Sequence, residues 1–374
     1  MRIRFSQELP RYVQVKQWVE RQIASGYWKP GSVLPPEREL AEQLGISPLT
    51  VSRALQWLAR DGVLVRKRRV GTVVAQTIPN SLFHQNLTLM VLGTRSGTRQ
   101  GADFYFSTLQ HSILSSLAHE GLRTLWLDYQ FEQVERELYS SDFVGILAIA
   151  PTAEHLPFLE DLYRRGVPVL IVGANSAEWD IPTVDTDNYH AACEGVRYLL
   201  SKGHQRFVGL FGALETFNSR DRWRGFRDTL QSAGIPSEQV WTFVVPYADE
   251  VEDAVREGLL TALRLPNGPT AIFAGGYYLA LSALQTVLSA GYRVPEQVSI
   301  LGFDDPPSAA LSTPPLTTFR QPLTQLGERA VQNLLAMIRG QMPEPKHQFL
   351  PLELVVRQTV GEVIPSERVP AQSP

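Results

Sequence analysis

Residues 34–64 read LPPERELAEQLGISPLTVSRALQWLARDGVL. Leu40, Ala41 and Leu44 share one face of a short helix, which Gly45 ends. Ser47 then caps a second helix, and Pro48 suits its first position, where the missing amide hydrogen costs nothing. Val51, Ala54, Leu55 and Leu58 recur at helical spacing as the buried stripe, and Gly62 closes the helix. A turn as short as Gly45-Ile46-Ser47 holds the two helices at a steep angle, the arrangement of a helix-turn-helix.

Upstream, Tyr12, Val15, Val19 and Ile23 predict a preceding helix that stops at Gly26. Downstream, two β-like runs at 63–65 and 72–75 flank the basic tip Arg66-Lys67-Arg68-Arg69. Three helices and a basic-tipped hairpin predict a winged helix-turn-helix over residues 1–76. The start of its third helix turns Ser47, Leu49, Thr50, Ser52 and Arg53, with Pro48 beside them, away from the apolar stripe. These groups suit the base edges and phosphates of a major groove, while Lys67, Arg68 and Arg69 suit the backbone or minor groove. Charge agrees: residues 1–76 carry 13 Lys+Arg against 6 Asp+Glu, and the rest carries 22 against 32. A basic head on an acidic body points to a polyanionic partner for the head.

The block at 34–64, followed by VGTVVA, resembles the DNA-binding domain of the GntR family of bacterial regulators. The resemblance implies that Arg38 contacts DNA from the second helix, and Ser47 and Thr50 from the third, with Arg68 in the wing. The alternative for Arg38 is an ion pair with Glu42, four residues on. Pro48, Ser52 and Arg69 depart from residues common in that family, so the operator sequence does not carry over.

Residues 77–86 are polar and aperiodic and read as a linker. Beyond them the pattern changes to apolar runs of strand length separated by amphipathic stretches. The runs are LTLMVLG, RTLWLDY, VGILAIA, VPVLIVG, RFVGLFG, WTFVVP, TAIFAGG and VSILGFD. Strands alternating with helices imply parallel sheets covered on both faces. A segment as long as 87–361 predicts two α/β lobes with a cleft between them. The tail from 362 carries three prolines in its last ten residues and reads as disordered.

The blocks KGHQRFVGLFG, SRDRWRGFRDTLQSAG, PTAIFAGGYYLALSALQTVLSAGYRVPEQVSILGFDD and PPLTTFRQPLTQLGERAV resemble the effector domain of the LacI family, which is periplasmic-binding-protein-like. A GntR-type head on a LacI-type body is the arrangement of arabinose-responsive repressors. The resemblance implies operator DNA and a sugar-like effector as partners, a homodimer, and no cofactor. It places Arg222 and Asp304 against ligand hydroxyls, a role a rigid guanidinium fork suits. Asp305 reads instead as a cap or hinge contact. Phe104, Tyr105 and Phe106 follow the first strand and either line the pocket or pack the lobe. Where relatives carry polar residues, this chain has Gly276-Tyr277 and Gly173, with Asn175 nearby. Tyr277 either meets the ligand or fills space.

The glycines and arginines of residues 93–101 are compatible with a phosphate cradle but lack the spacing of a phosphate-binding fingerprint. An enzyme with a fused DNA-binding head would need a catalytic constellation. There is no G-x-S-x-G and no H-E-x-x-H, and the seven histidines show no metal spacing. Cys193 stands alone, so neither an internal disulfide nor a cysteine metal pair is available. No signal peptide or membrane span is legible, which with the lone cysteine predicts a cytoplasmic protein. A third reading is a DNA-binding dimer whose body has lost its ligand.

Overall fold

A computed structural model describes residues 11–24, 26–67, 70–76, 88–93, 103–120, 122–138, 143–176, 178–245 and 251–363. The linker expected at 77–86, the tip residues Arg68 and Arg69, most of the loop at 93–101 and nearly all of the tail lie outside them.

The head is built from α1 (Arg11–Ala24), α2 (Glu37–Leu44), α3 (Pro48–Arg60) and the antiparallel pair β1 (Leu64–Lys67) and β2 (Gly71–Val74). Its core is the set of stripes expected from the sequence: Val15, Val19 and Ile23 meet Leu40 and Leu44, Val51, Leu55 and Leu58. Gly45 adopts φ +66°, a left-handed conformation that costs glycine little, and the chain turns directly into α3. The wing is tied to the start of α2 by Arg66, one pair from the hairpin turn, which donates to Glu37 Oε1 at 2.8 Å.

The first lobe carries β3 (Thr88–Leu92), α4 (Asp103–His119), β4 (Arg123–Leu127), α5 (Phe131–Leu138), β5 (Phe143–Ile149), α6 (Leu156–Arg164), β6 (Val169–Val172) and β7 (Thr183–Thr186). The chain then forms α7 (Asn188–Ser201), β8 (Phe207–Phe211), α8 (Phe217–Ser232), β9 (Val240–Val244), α9 (Val251–Leu263), β10 (Ala271–Ala274), α10 (Tyr277–Ser289), β11 (Ser299–Phe303), α11 (Pro307–Leu311) and β12 (Thr317–Arg320). It returns to the first lobe with α12 (Leu323–Ile338) and β13 (His347–Leu350), and ends in the second with β14 (Glu353–Val355). The first sheet runs β13-β7-β6-β5-β3-β4, every neighbouring pair parallel. The second runs β14-β12-β11-β10-β8-β9 and is parallel except for β14, an antiparallel edge strand that the expected parallel sheets did not include.

Side-chain alternation along each strand feeds two faces. Leu89 and Val91 of β3 pack with α4 and α12, while Met90 and Leu92 pack on the other side against α5 and α6. In the second lobe α9 and α10 cover one face and α7 and α8 the other.

The chain crosses between the lobes three times, after β7, after β12 and after β13. The crossings are tied to one another: Thr186 Oγ1 donates to Gln321 Oε1 at 2.7 Å, and Asp187 N donates to the Leu350 carbonyl at 3.3 Å.

Candidate functional site

The candidate DNA-facing surface of the head centres on the start of α3. Ser47 Oγ accepts from Thr50 N at 3.2 Å and shares a hydrogen bond with Thr50 Oγ1 at 2.7 Å, so this pair closes the helix end. Pro48 and Leu49 project beyond it, and Leu49 is 80% exposed. Ser52 is half-buried. Arg53 is exposed, but its guanidinium lies 4.2 Å over the Tyr12 ring, which draws it toward α1. Arg38 is exposed on α2 and makes no ion pair with Glu42 among the described residues. Lys67 is exposed at the end of β1.

The second assembly lies between the lobes, where strands of both sheets end, the position at which open α/β sheets bind ligands. Arg222 on α8 is 7% exposed. Its Nε donates to Asn188 Oδ1 at 2.8 Å and its Nη1 to the Gly275 carbonyl at 2.8 Å. The guanidinium stacks 3.8 Å over Phe303, and Asp304 Oδ2 lies 3.9 Å from Nη1. Asp304 has φ +70°, an uncommon conformation for a residue with a side chain, and its backbone is fixed by Thr318 Oγ1 donating to its carbonyl at 2.8 Å. Its carboxyl also accepts from Gln321 Nε2. Arg222 and Asp304, assigned together from the sequence, are therefore neighbours.

The opposing wall comes from the first lobe. Tyr105 carries a buried hydroxyl that lies against Asn218 of α8 without a hydrogen bond of good geometry. Burial, with Asp185 nearby, holds that phenol well above its usual range. A Cβ placed on Gly173 would sit 2.4 Å from the Tyr105 hydroxyl, so Tyr105 occupies the space a side chain at 173 would need. Asn175 is buried with its Nδ2 unpaired, and Asn218 Oδ1 is likewise buried and unpaired. Asp185 on β7 is 2% exposed and accepts from Thr186 N at 2.7 Å; burial pushes its carboxyl up to about 8.

Phe104 and Phe106 pack at the edge of the first lobe's core, and Phe104 also lines a cavity of about 250 Å³ with Thr108, Asp304 and Gln321. Tyr277 packs in the second lobe's core with Leu279 and Ala280, the space-filling alternative. Asp305 accepts from Arg320 at 2.7 Å and from Arg357 at 2.9 Å, binding the last segment of the chain to the lobe. Sequence reasoning missed Asp185, Asn188, Asn218 and Gln321. The signal available for Asp185 was a charged residue inside a run, TVDT, that is buried throughout.

Among the described residues no cluster of His, Cys, Asp or Glu is arranged to hold a metal ion, and no helix is long and apolar enough to cross a membrane.

The profile of the bacterial regulatory proteins of the gntR family matches residues 11–74, and that of the periplasmic binding protein-like domain matches residues 196–360. The chain is 27% identical to the arabinose metabolism transcriptional repressor of Geobacillus stearothermophilus, covering 95% of this chain and 99% of that one. It is 30% identical to the HTH-type transcriptional regulator DegA of Bacillus subtilis, covering 86% and 97%. The fold is also that of a LacI family transcriptional regulator from Enterococcus faecium with bound ribose, at TM-score 0.61 and 23% identity over 74% of this chain and 100% of that one. The chain belongs to the bacterial transcriptional regulators that join a GntR-family winged helix to a LacI-type, periplasmic-binding-protein-like domain.

Proposed function

We propose that this regulator is a cytoplasmic repressor of carbohydrate-utilisation genes, gripping operator DNA through its head and releasing it when a sugar-like molecule enters the interlobe cleft. The observation that carries this reading is Arg222, a buried guanidinium fixed by Asn188 and Gly275 with Asp304 beside it. A donor edge and an acceptor side by side suit vicinal hydroxyls. The arabinose repressor among its relatives and the ribose held by a protein of the same fold support a sugar-like effector.

On this reading residues 1–76 form the DNA-binding unit, 77–86 the linker and 87–361 the effector and dimerisation unit. DNA is met by Arg38, Ser47, Pro48, Leu49, Thr50, Ser52, Arg53, Lys67, Arg68 and Arg69. The effector is met by Arg222, Asp304, Tyr105 and Asn175, and Phe104 borders the mouth. Two chains pair through their bodies and present two heads to a partly palindromic operator. Closing the lobes on a ligand misaligns the heads, and about 1.4 kcal/mol of coupling gives a tenfold drop in DNA affinity.

The test is selection of genomic fragments by the full-length protein, followed by titration of the complex with neutral, amino, acidic and phosphorylated sugars. A specific operator released by one of them supports the reading. An operator that none of them releases, with no ligand stabilising the protein, leaves the body as a dimerisation unit and overturns the effector half.

A further inference from the structure

In the cleft the unsatisfied groups are not balanced in charge. Arg222 brings the positive charge, and two of its three donor nitrogens are committed, Nε to Asn188 and Nη1 to the Gly275 carbonyl. Asp304 lies 3.9 Å from it, and Asp185 of β7 is near enough to feel its charge. Asp304 is shared between Arg222 and Gln321. Asp185, nearly inaccessible, takes a single backbone hydrogen bond and has no ion pair among the described residues. The other charged groups acting on it, Asp221 and Asp187, are also acidic, and Arg222 is the cation opposing them. Around these lie three buried polar atoms without a hydrogen bond of good geometry: Asn175 Nδ2, Asn218 Oδ1 and the Tyr105 hydroxyl, which lies against Asn218. Asn218 belongs to the second lobe and the other two to the first, so a ligand bridging them would hold the lobes together.

A buried carboxyl without a counter-ion is costly, and either a proton or a cation relieves the cost. An anionic ligand makes matters worse, because it meets one partly committed guanidinium among several carboxyls. Building on the effector reading above, we propose that the cleft takes a hydroxylated ligand bearing a protonated amine, an amino sugar in chemical class. Asp185 is the counter-ion of that amine, whereas acidic and phosphorylated sugars meet no cation there beyond Arg222, two of whose donor nitrogens are already committed. Tyr105, Asn175 and Asn218 serve the hydroxyls. Burial, which favours the protonated acid at Asp185, fits this role: the ammonium takes the place of the proton, which passes to water.

The test uses the full-length protein and ligands matched on one carbon skeleton: glucosamine, glucose, gluconate and glucose 6-phosphate, then the galactose and mannose counterparts. Binding is read by thermal unfolding and calorimetry. On the skeleton that binds best, the amine is expected to bind about tenfold more tightly than the neutral sugar, a difference of about 1.4 kcal/mol, with the anions weakest. Asp185→Asn should erase the amine preference, the affinity ratio of amine to neutral sugar falling from about tenfold to about one. Should that variant fail to fold, the order amine, neutral, anion in the wild type still decides the matter. A neutral or anionic sugar that binds as tightly as its amine overturns the charge rule and leaves the effector reading standing. An Asp185→Asn protein that keeps the preference removes Asp185 from it. Silence across all skeletons overturns both the charge rule and the reading beneath it.

Discussion

Arg222 on α8 and Asn188 at the start of α7 are locked together, Nε donating to Oδ1 at 2.8 Å in a buried setting. Asn188 in turn donates through Nδ2 to the Thr186 carbonyl at 3.1 Å, so the guanidinium is referenced to the chain crossing between the lobes. Arg222→Ala should abolish release from operator DNA by effector while operator affinity stays unchanged. Asn188→Ala should weaken effector binding by about tenfold to a hundredfold, since a buried charge-assisted hydrogen bond contributes about 1.5–3 kcal/mol. Fluorescence anisotropy of labelled operator, titrated with effector, separates the two effects; an Arg222→Ala protein that still responds removes this residue from the ligand site.

Arg38 stands exposed on α2 with no ion pair to Glu42 among the described residues. Arg38→Ala should reduce operator affinity by roughly tenfold or more and, if the contact is to phosphate, lower the slope of log affinity against log salt by about 1. Thermal stabilisation by effector should be unchanged. Equal affinity at all salt concentrations would take Arg38 off the DNA.

Leu49 is 80% exposed at the N-terminal end of α3, next to the proline that starts the helix. Apolar side chains at such a place read the methyl group of thymine. Replacing single thymines of the operator by deoxyuridine should cost about 1 kcal/mol at one position for the wild type and nothing there for Leu49→Ala. An identical deoxyuridine profile for both proteins would contradict this.

Gly173 adopts φ +75° with the Tyr105 hydroxyl filling the space of its missing side chain. Gly173→Ala should destabilise the body by about 1–3 kcal/mol through strain and displacement of Tyr105, and weaken effector binding in parallel. Combining it with Tyr105→Phe should restore part of the stability, because the colliding oxygen is gone. Urea unfolding of both variants checks the pair.

His204 lies buried after α7, hydrogen-bonded to Thr270 Oγ1 at 3.1 Å and the Gly361 carbonyl at 3.2 Å, and burial pushes its imidazole down to about 4. An unfolded histidine titrates near 6.5, so between about 6.5 and 4 the unfolded chain holds a proton that the folded one refuses. Stability contributed by neutral His204 is thus complete above pH 6.5 and falls as the pH drops toward 4, by roughly 3 kcal/mol at most. His204→Gln should flatten that part of the acid limb; an unchanged difference between pH 7 and pH 4.5 would contradict the assignment.

Much of the fold was legible because periodicity reports burial. Val51, Ala54, Leu55 and Leu58 are the α3 stripe, and each of the eight apolar runs became a strand. The strands that escaped notice, β7, β12, β13 and β14, are three or four residues long and polar in part, as in TVDT and HQFL. Their place in the sheets is set by neighbours distant in sequence, β13 pairing with β7 across more than 150 residues. The same reason limited the cleft. Arg222 and Asp304 sit in recognisable blocks, whereas Asp185 and Asn218 matter only through what the other lobe brings to them. Tyr277 was ambiguous because an aromatic at the start of a helix can turn either way, and here it turns into the core.

The three crossings between lobes also bear on how the protein is made. The first lobe lacks α12 and β13, and the second lacks β14, until the chain has passed residue 355. The head, in contrast, is complete by residue 74. During translation the DNA-reading unit can therefore be finished while both halves of the sensor are still missing a strand. On the proposed function, a transcript cut short, or a ribosome that stops early, would release a head without the body that answers to the effector.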